Sequence, residues 1–240
     1  MDGRFSRTQN LIGEEAVKRL ANCRVAIFGV GGVGSFVSEA LARGGIGALD
    51  LYDSDKVDIT NINRQIIALD STVGRYKTDV MKERILDINK DALVTSNILF
   101  VTPEKGKEID FSKIDYIVDA VDNVTAKIFL AEKANEFRIP IISAMGAGNR
   151  LDNQNFKVGP IEKSSGCPLA RVMRLELKKR GIKGVKAVYS DKPPERFEND
   201  LSENPQKGRT VSSISFVPSL MGLIIAGEVI KDLIGWGKKK

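Results

Sequence analysis

Residues 24–34 read Arg24-Val25-Ala26-Ile27-Phe28-Gly29-Val30-Gly31-Gly32-Val33-Gly34. The first five form a short apolar run closed by glycine, the pattern of a buried strand. Val33 to Arg43 then has helical spacing and stops at Gly44-Gly45, and Ala48 to Tyr52 is a second strand candidate closed by Asp53. Strand, glycine turn, helix, strand is a βαβ unit, the building block of parallel sheets.

Outward from that unit the alternation continues. Leu11 to Ala21 has the spacing of an opening helix, and Glu14 and Glu15 suit its first turn. A polar stretch from Ser54 to Tyr76 precedes a helical pattern over Thr78–Asn89. Connections of that length are uncommon unless functional. Ala92–Leu99, Tyr116–Val121 and Pro140–Ala144 read as strands, and Thr125–Phe137 as an amphipathic helix. Past Arg150 the spacing predicts a basic helix over Pro168–Arg180, a strand over Val185–Tyr189, a Pro- and charge-rich mobile loop over Ser190–Arg209, and an apolar helix over Pro218–Ile234 ahead of a Lys238–Lys240 tail. The expected fold is α/β: a Rossmann-like, mostly parallel sheet with helices on both faces and a C-terminal extension carrying the basic and apolar helices. It is read as one domain, with a nucleotide-binding core over 1–150 and the crossover loop, basic segment and terminal helix over 151–240.

The chain has 240 residues, 42% hydrophobic and 28% charged, so whole-chain disorder is excluded. Two cysteines, Cys23 and Cys167, are too few for a disulfide framework or paired zinc-binding Cys-x-x-Cys clusters, and fit a reducing, cytoplasmic setting. There is no histidine, which removes the usual general base and the commonest metal ligand. The start lacks the apolar core of a signal peptide, and the longest apolar stretch, Ile214–Ile230, is interrupted by Pro218, Gly222, Gly227 and Glu228; no membrane association is expected. Between Arg171 and Arg196, nine basic residues face Glu176, Asp191 and Glu195, a surplus of +6 that equals the net charge of the whole chain. A surplus so concentrated points to a polyanion, against the plainer reading of a solvated helix face.

The glycine turn offers backbone N–H groups at a helix N-terminus, a ready phosphate site, and Asp53 follows where a ribose hydroxyl would be held. The fingerprint alone fits NAD, FAD or ATP, or a tight turn with no ligand. The long loop separates these. Asn61-Ile62-Asn63-Arg64-Gln65 and Gly74-Arg75-Tyr76-Lys77 bring a guanidinium and an ammonium next to the ribose acid. Hydride transfer has little use for such charge beside a pyrophosphate, whereas breaking a phosphoanhydride does. Asp122, at the carboxyl edge of a predicted strand, suits Mg²⁺ beside a triphosphate, or else caps the helix that follows. Cys167 is a sulfur acceptor or simply a small residue before a proline-started helix, Cys23 a buried small apolar residue, Asn149 a ligand contact or a turn residue, and the terminal helix core or dimer interface.

Gly29-x-Gly31-Gly32-x-Gly34, Asp53-x-Asp55, Asn61-x-Asn63-Arg64-Gln65, Gly74-Arg75-x-Lys77 and Asp122-Asn123, in this order, resemble the adenylation domain of the ThiF/MoeB superfamily, relatives of the ubiquitin-activating enzymes. The resemblance implies ATP and Mg²⁺ as cofactors. It puts Asp53 on ribose, Asn61, Arg64 and Lys77 on phosphates and Asp122 on Mg²⁺, with Asp55, Gln65, Asn123 and the four glycines in the same pocket. It also implies a homodimer in which Arg7 reaches the partner's ATP, so that Arg64, Lys77 and Arg7 carry the catalysis. The zinc cysteine pairs usual in carrier-protein activators of this superfamily are missing. Instead Ser6–Gly13, Ala68–Arg75, Asp122–Lys127, Gly146–Asn149 with Leu151-Asp152, Pro168–Arg174 and Ser213–Pro218 are similar to the tRNA threonylcarbamoyladenosine dehydratases (TcdA/CsdL), a family within it. This implies a tRNA substrate, ATP-driven adenylation of its carboxylate, ring closure with release of AMP, and room for a sulfur-carrier or cysteine desulfurase partner. A carrier-protein adenylating enzyme and a non-catalytic tRNA-binding module are the alternatives, with an NAD-dependent oxidoreductase disfavoured by Arg64 and Lys77.

Overall fold

The computed structural model describes residues 3–152, 154–195 and 211–237. The expected Lys238–Lys240 tail and most of the loop ending at Arg209, including Arg196, lie outside the described residues.

The opening helix is two helices, α1 (Ser6–Ile12) and α2 (Glu14–Ala21). Gly13, with φ +87° and ψ 158°, cannot continue a helical backbone and divides them. The βαβ unit follows as β1 (Arg24–Phe28), α3 (Gly34–Gly44) and β2 (Ala48–Tyr52). Then come α4 (Lys77–Ile88), β3 (Leu93–Asn97), β4 (Tyr116–Asp119), α5 (Val124–Phe137) and β5 (Ile141–Ala144). Beyond these lie β6 (Phe156–Pro160), α6 (Pro168–Lys179), β7 (Lys186–Ser190) and α7 (Phe216–Ile234).

The seven strands form one sheet in the order β3-β2-β1-β4-β5-β7-β6. All pairings are parallel except β6 with β7. β1 sits between β2 and β4, so the chain first winds toward one edge and then returns toward the other. That reversal opens a crevice at the carboxyl ends of β1 and β4, where ligands bind in such sheets.

Period-two alternation divides β1 between two cores. Val25 and Ile27 pack with Val37, Leu41, Met221 and Ile225 on the side covered by α3 and α7. Ala26 and Phe28 pack with Phe129, Leu130, Met173 and Leu177 on the side of α5 and α6. Among the described residues no helix is long and apolar enough to cross a membrane, and α7 contributes Met221, Ile225, Ala226 and Val229 to this core.

Candidate active site

The glycine turn is shaped by close approach. Gly29 has φ +87°, and a Cβ there would lie 2.6 Å from the Ala120 carbonyl oxygen. A Cβ on Gly34 would lie 1.8 Å from the Gly29 carbonyl oxygen, so any side chain would push α3 off β1. Asp53 fastens the turn to the end of β2: one carboxylate oxygen accepts from Val30 N–H at 2.7 Å and the other from Asp55 N–H at 2.9 Å. Burial raises its pKa above the ordinary aspartate value, while the Lys77 charge and the two amides pull the other way.

The polar stretch after Asp53 is an anchored loop. Lys56 and Tyr76 form a bridge, Val57 N–H donates to Arg75 O at 2.8 Å, and Gly74 N–H returns to Val57 O at 2.8 Å. Asp58 caps the short turn that carries Asn61. The loop delivers Lys77, first residue of α4, beside Asp55, with Nζ 2.7 Å from Oδ2. Arg64 is held by neutral acceptors, Nη1 donating to Thr60 O and Asn63 Oδ1, each at 2.9 Å. Arg75 turns away to pair with Glu83.

These pieces meet in a cavity of about 440 Å³, within the range of small-molecule sites. Gly29, Gly31 and Gly32 of the turn line it, together with Asp53, Asp55 and Lys77 and with Asn61, Arg64 and Gln65. Asp122 and Asn123 face them from the end of β4. Two expected site residues are elsewhere. Gly34 is not in the lining and serves helix packing, and Arg7 is exposed on α1, outside the lining of its own chain's cavity. Gln65 Oε1 is buried without a hydrogen-bond partner, an acceptor left open in the wall.

The cap of α5 is Asn123, whose Oδ1 accepts from Ala126 N–H at 3.1 Å, and so the capping alternative for Asp122 is corrected by one residue. Asp122 is exposed and makes no hydrogen bond or ion pair with another described residue. Among the described residues no three His, Cys, Asp or Glu side chains are grouped to hold a metal. A single unengaged carboxylate beside a phosphate cradle matches the way Mg²⁺ is held by one or two carboxylates plus phosphate oxygens.

Other lining residues were not legible as site residues. Leu99, Phe100 and Val101 after β3 add apolar lining suited to a base, and Val211, Ser213 and Pro218 join the lining from far along the chain. Beneath the site Lys127 is fully buried, its Nζ 3.0 Å from both Asp119 oxygens and 2.7 Å from Ala144 O. A lone lysine amid Ala126, Phe129 and Leu130 was the signal for it.

Cys167 is 3% exposed, packs with Ala170 and Met173, and does not line the cavity, as its structural reading expects. Cys23 is half-buried, and burial pushes its thiol pKa up. The basic segment is partly neutralised. Lys179 and Arg180 pair with Glu176, Arg180 also with Glu132, Lys186 with Asp232 and Glu228, and Lys192 with Asp152. Arg174 is engaged by the Ser164 carbonyl and hydroxyl, which leaves Arg171, Lys178 and Lys183 exposed and unpaired among the described residues.

The ThiF family model matches residues 5–240. The tRNA threonylcarbamoyladenosine dehydratase of Bacillus subtilis (strain 168) is 44% identical over 239 residues, spanning 96% of this chain and 94% of the relative. The crystal structure of Escherichia coli TcdA, a tRNA N6-threonylcarbamoyladenosine dehydratase, in complex with AMP is 34% identical and superposes with a TM-score of 0.87 over 97% of this chain and 94% of that one. The same enzyme in complex with ATP gives a TM-score of 0.84 at the same identity and coverage.

Proposed function

Because this chain belongs to the ThiF family, we propose that it is an ATP-dependent tRNA threonylcarbamoyladenosine dehydratase. A carboxylate oxygen of the threonylcarbamoyl group attacks the α-phosphorus of ATP, the bond to the bridging oxygen breaks, and pyrophosphate leaves. A nitrogen or oxygen within the same modified nucleoside then attacks the activated carboxyl carbon, and AMP leaves carrying the former carboxylate oxygen. The nucleoside has closed a ring and lost the elements of water. Because the second nucleophile belongs to the substrate, effective molarity replaces an enzyme nucleophile, and neither histidine nor a reactive thiol is needed.

The observation that carries this reading is the meeting of Arg64, Lys77 and Asp122, from three separate segments, around the glycine turn. The roles follow from the chemistry of each group. The turn's amides and Asn61 hold phosphate oxygens, Asp53 orients ribose, and Arg64 and Lys77 neutralise charge growing on the leaving pyrophosphate. Asp122 would hold Mg²⁺, which when bound screens the triphosphate. Arg7 acts across a two-fold dimer, in the other copy's cavity. Support for that lies in α1, which has no buried residue in the single chain and leaves Leu11 80% exposed. The polyanion is tRNA, gripped through Arg171, Lys178 and Lys183.

The test is mass spectrometry of nucleosides from tRNA bearing threonylcarbamoyladenosine, after incubation with the protein, ATP and Mg²⁺. The expected result is loss of one water from that nucleoside with one AMP formed per ring. An unchanged nucleoside, where the B. subtilis enzyme run in parallel converts it, refutes the assignment.

A further inference from the structure

Asn149 is hydrogen-bonded to a segment that lines the cavity. Asn149 sits in the left-handed region at φ +54°, where asparagine is among the few residues that rest without strain. Its carbonyl oxygen accepts from Glu195 N–H at 2.8 Å, and its own N–H donates to Ser212 O at 2.8 Å. Its side-chain Oδ1 accepts from Ser212 N–H at 2.7 Å. A single residue thus holds both Glu195 and Ser212.

The next residue, Ser213, lines the cavity and is gripped from the other side. Its carbonyl oxygen accepts from Asn63 Nδ2 at 3.0 Å, and Asn63 Oδ1 in turn accepts from Arg64 Nη1 at 2.9 Å. Contacts therefore run unbroken from Asn149 through Ser212, Ser213 and Asn63 to the Arg64 guanidinium. We infer that Asn149 is a positioning residue: it fixes residues 211–213 as a wall of the nucleotide cavity and, through Ser213 and Asn63, sets the Arg64 guanidinium before ATP arrives. The inference rests on the nucleotide-binding reading of this cavity.

Asn149→Gly isolates the side chain. Glycine accepts the positive φ and keeps both backbone bonds, but lacks the Oδ1 acceptor; Asn149→Asp restores it. Two measurements on the full chain separate the possibilities. Hydrogen–deuterium exchange without nucleotide should quicken at the Ser212 amide by about three- to tenfold in Asn149→Gly, the worth of one hydrogen bond, and stay near wild type in Asn149→Asp. Equilibrium dialysis with labelled ATP and Mg²⁺ should show affinity weakened by a similar factor in Asn149→Gly and recovered in Asn149→Asp. Should Asn149→Gly lose its cooperative melt, exchange of the Ser212 amide in the wild-type protein still decides the clamp: the Asn149 Oδ1 bond should protect it, and exchange at the rate of a free amide overturns the clamp.

Unchanged exchange overturns the clamp. Faster exchange with unchanged ATP affinity overturns the link to the cavity. Wild-type protein that binds no ATP overturns the nucleotide reading instead, an outcome that exchange at Ser212 does not mimic.

Discussion

Replacing Lys127 with Met removes the cation of the ion pair beneath the site. The two side chains are 0% and 1% exposed, and the ammonium bonds to both Asp119 oxygens at 3.0 Å and to Ala144 O at 2.7 Å, with Ser143 Oγ at 3.3 Å. Methionine has nearly the same reach and adapts to irregular space, so the change deletes a charge and its hydrogen bonds rather than opening a large void. What remains is a buried carboxylate held by the Ser143 hydroxyl and by Val121 N–H at 3.3 Å. Stripping one partner from a buried pair costs about 3–5 kcal/mol. In a domain of this size each kcal/mol moves the thermal midpoint by about 2–4 °C, so a fall of about 6–20 °C is expected. Adding Asp119→Asn removes the stranded charge and should recover more than half of the loss. Thermal melts followed by circular dichroism, with urea titrations to check that the m-value is constant, read both variants. A fall of less than about 2 °C, the scale of an ordinary surface change, or a double variant no more stable than the single one, refutes the reasoning.

Arg64→Ala should lower AMP formation by about 100- to 1,000-fold while the melt stays near wild type, because the side chain is half-buried and faces the cavity rather than the core; turnover within a fewfold of wild type refutes its role. Glu39 loses some solvation by burial, yet Arg84 and Arg43 bring its net pKa below the usual 4.5. Its contribution is therefore complete above 4.5 and lost as pH falls through the lowered value. The stability gap between wild type and Glu39→Gln should narrow on acidification, and a gap that widens, read from urea midpoints at stepped pH, overturns the sign. Neutralising Arg171, Lys178 and Lys183 to Gln should flatten the log–log salt dependence of tRNA binding by about 0.7–0.9 for each phosphate no longer neutralised, read by filter binding across a salt series. An unchanged slope places the RNA surface elsewhere.

The fold was legible where burial is two-sided. Arg24–Phe28 and Tyr116–Asp119 are central strands whose apolar runs can only be core, and the glycines between β1 and α3 leave one geometry. It was illegible at the sheet's margin. β6 was missed because an edge strand needs only one good neighbour, and Gly159-Pro160 at its end reads as a turn. α7 begins at Phe216, two residues ahead of the expected Pro218, because proline sits without penalty in a first helical turn. In the site, Arg64, Lys77 and Asp122 stood out in sequence as charged residues beside the glycine turn, and the fold brings all three to one cavity. Locally Asn149 signals only a turn or a ligand contact, and Lys127 only a lysine in an apolar stretch. Their partners lie at Ser212, across the fold, and at Asp119 and Ala144, on two different strands, and only the folded chain brings them together.

For the proposed reaction it matters that the two cations of the cavity are held in unlike ways. Lys77 faces the Asp55 carboxylate at 2.7 Å, so an incoming triphosphate competes with a formal negative charge for the ammonium and gains only the difference. Arg64 is oriented by a carbonyl and an amide oxygen, both neutral, and keeps its whole charge for phosphate. Both Asp53 oxygens already accept backbone N–H groups, which fastens the glycine turn to the end of β2 before a ligand arrives. Preorganisation of this kind favours the group whose attraction grows most as charge moves onto the leaving oxygen. In the proposed reaction Arg64 would therefore carry more of the transition-state stabilisation, while Lys77, exchanging one anion for another, would contribute chiefly to where the triphosphate comes to rest.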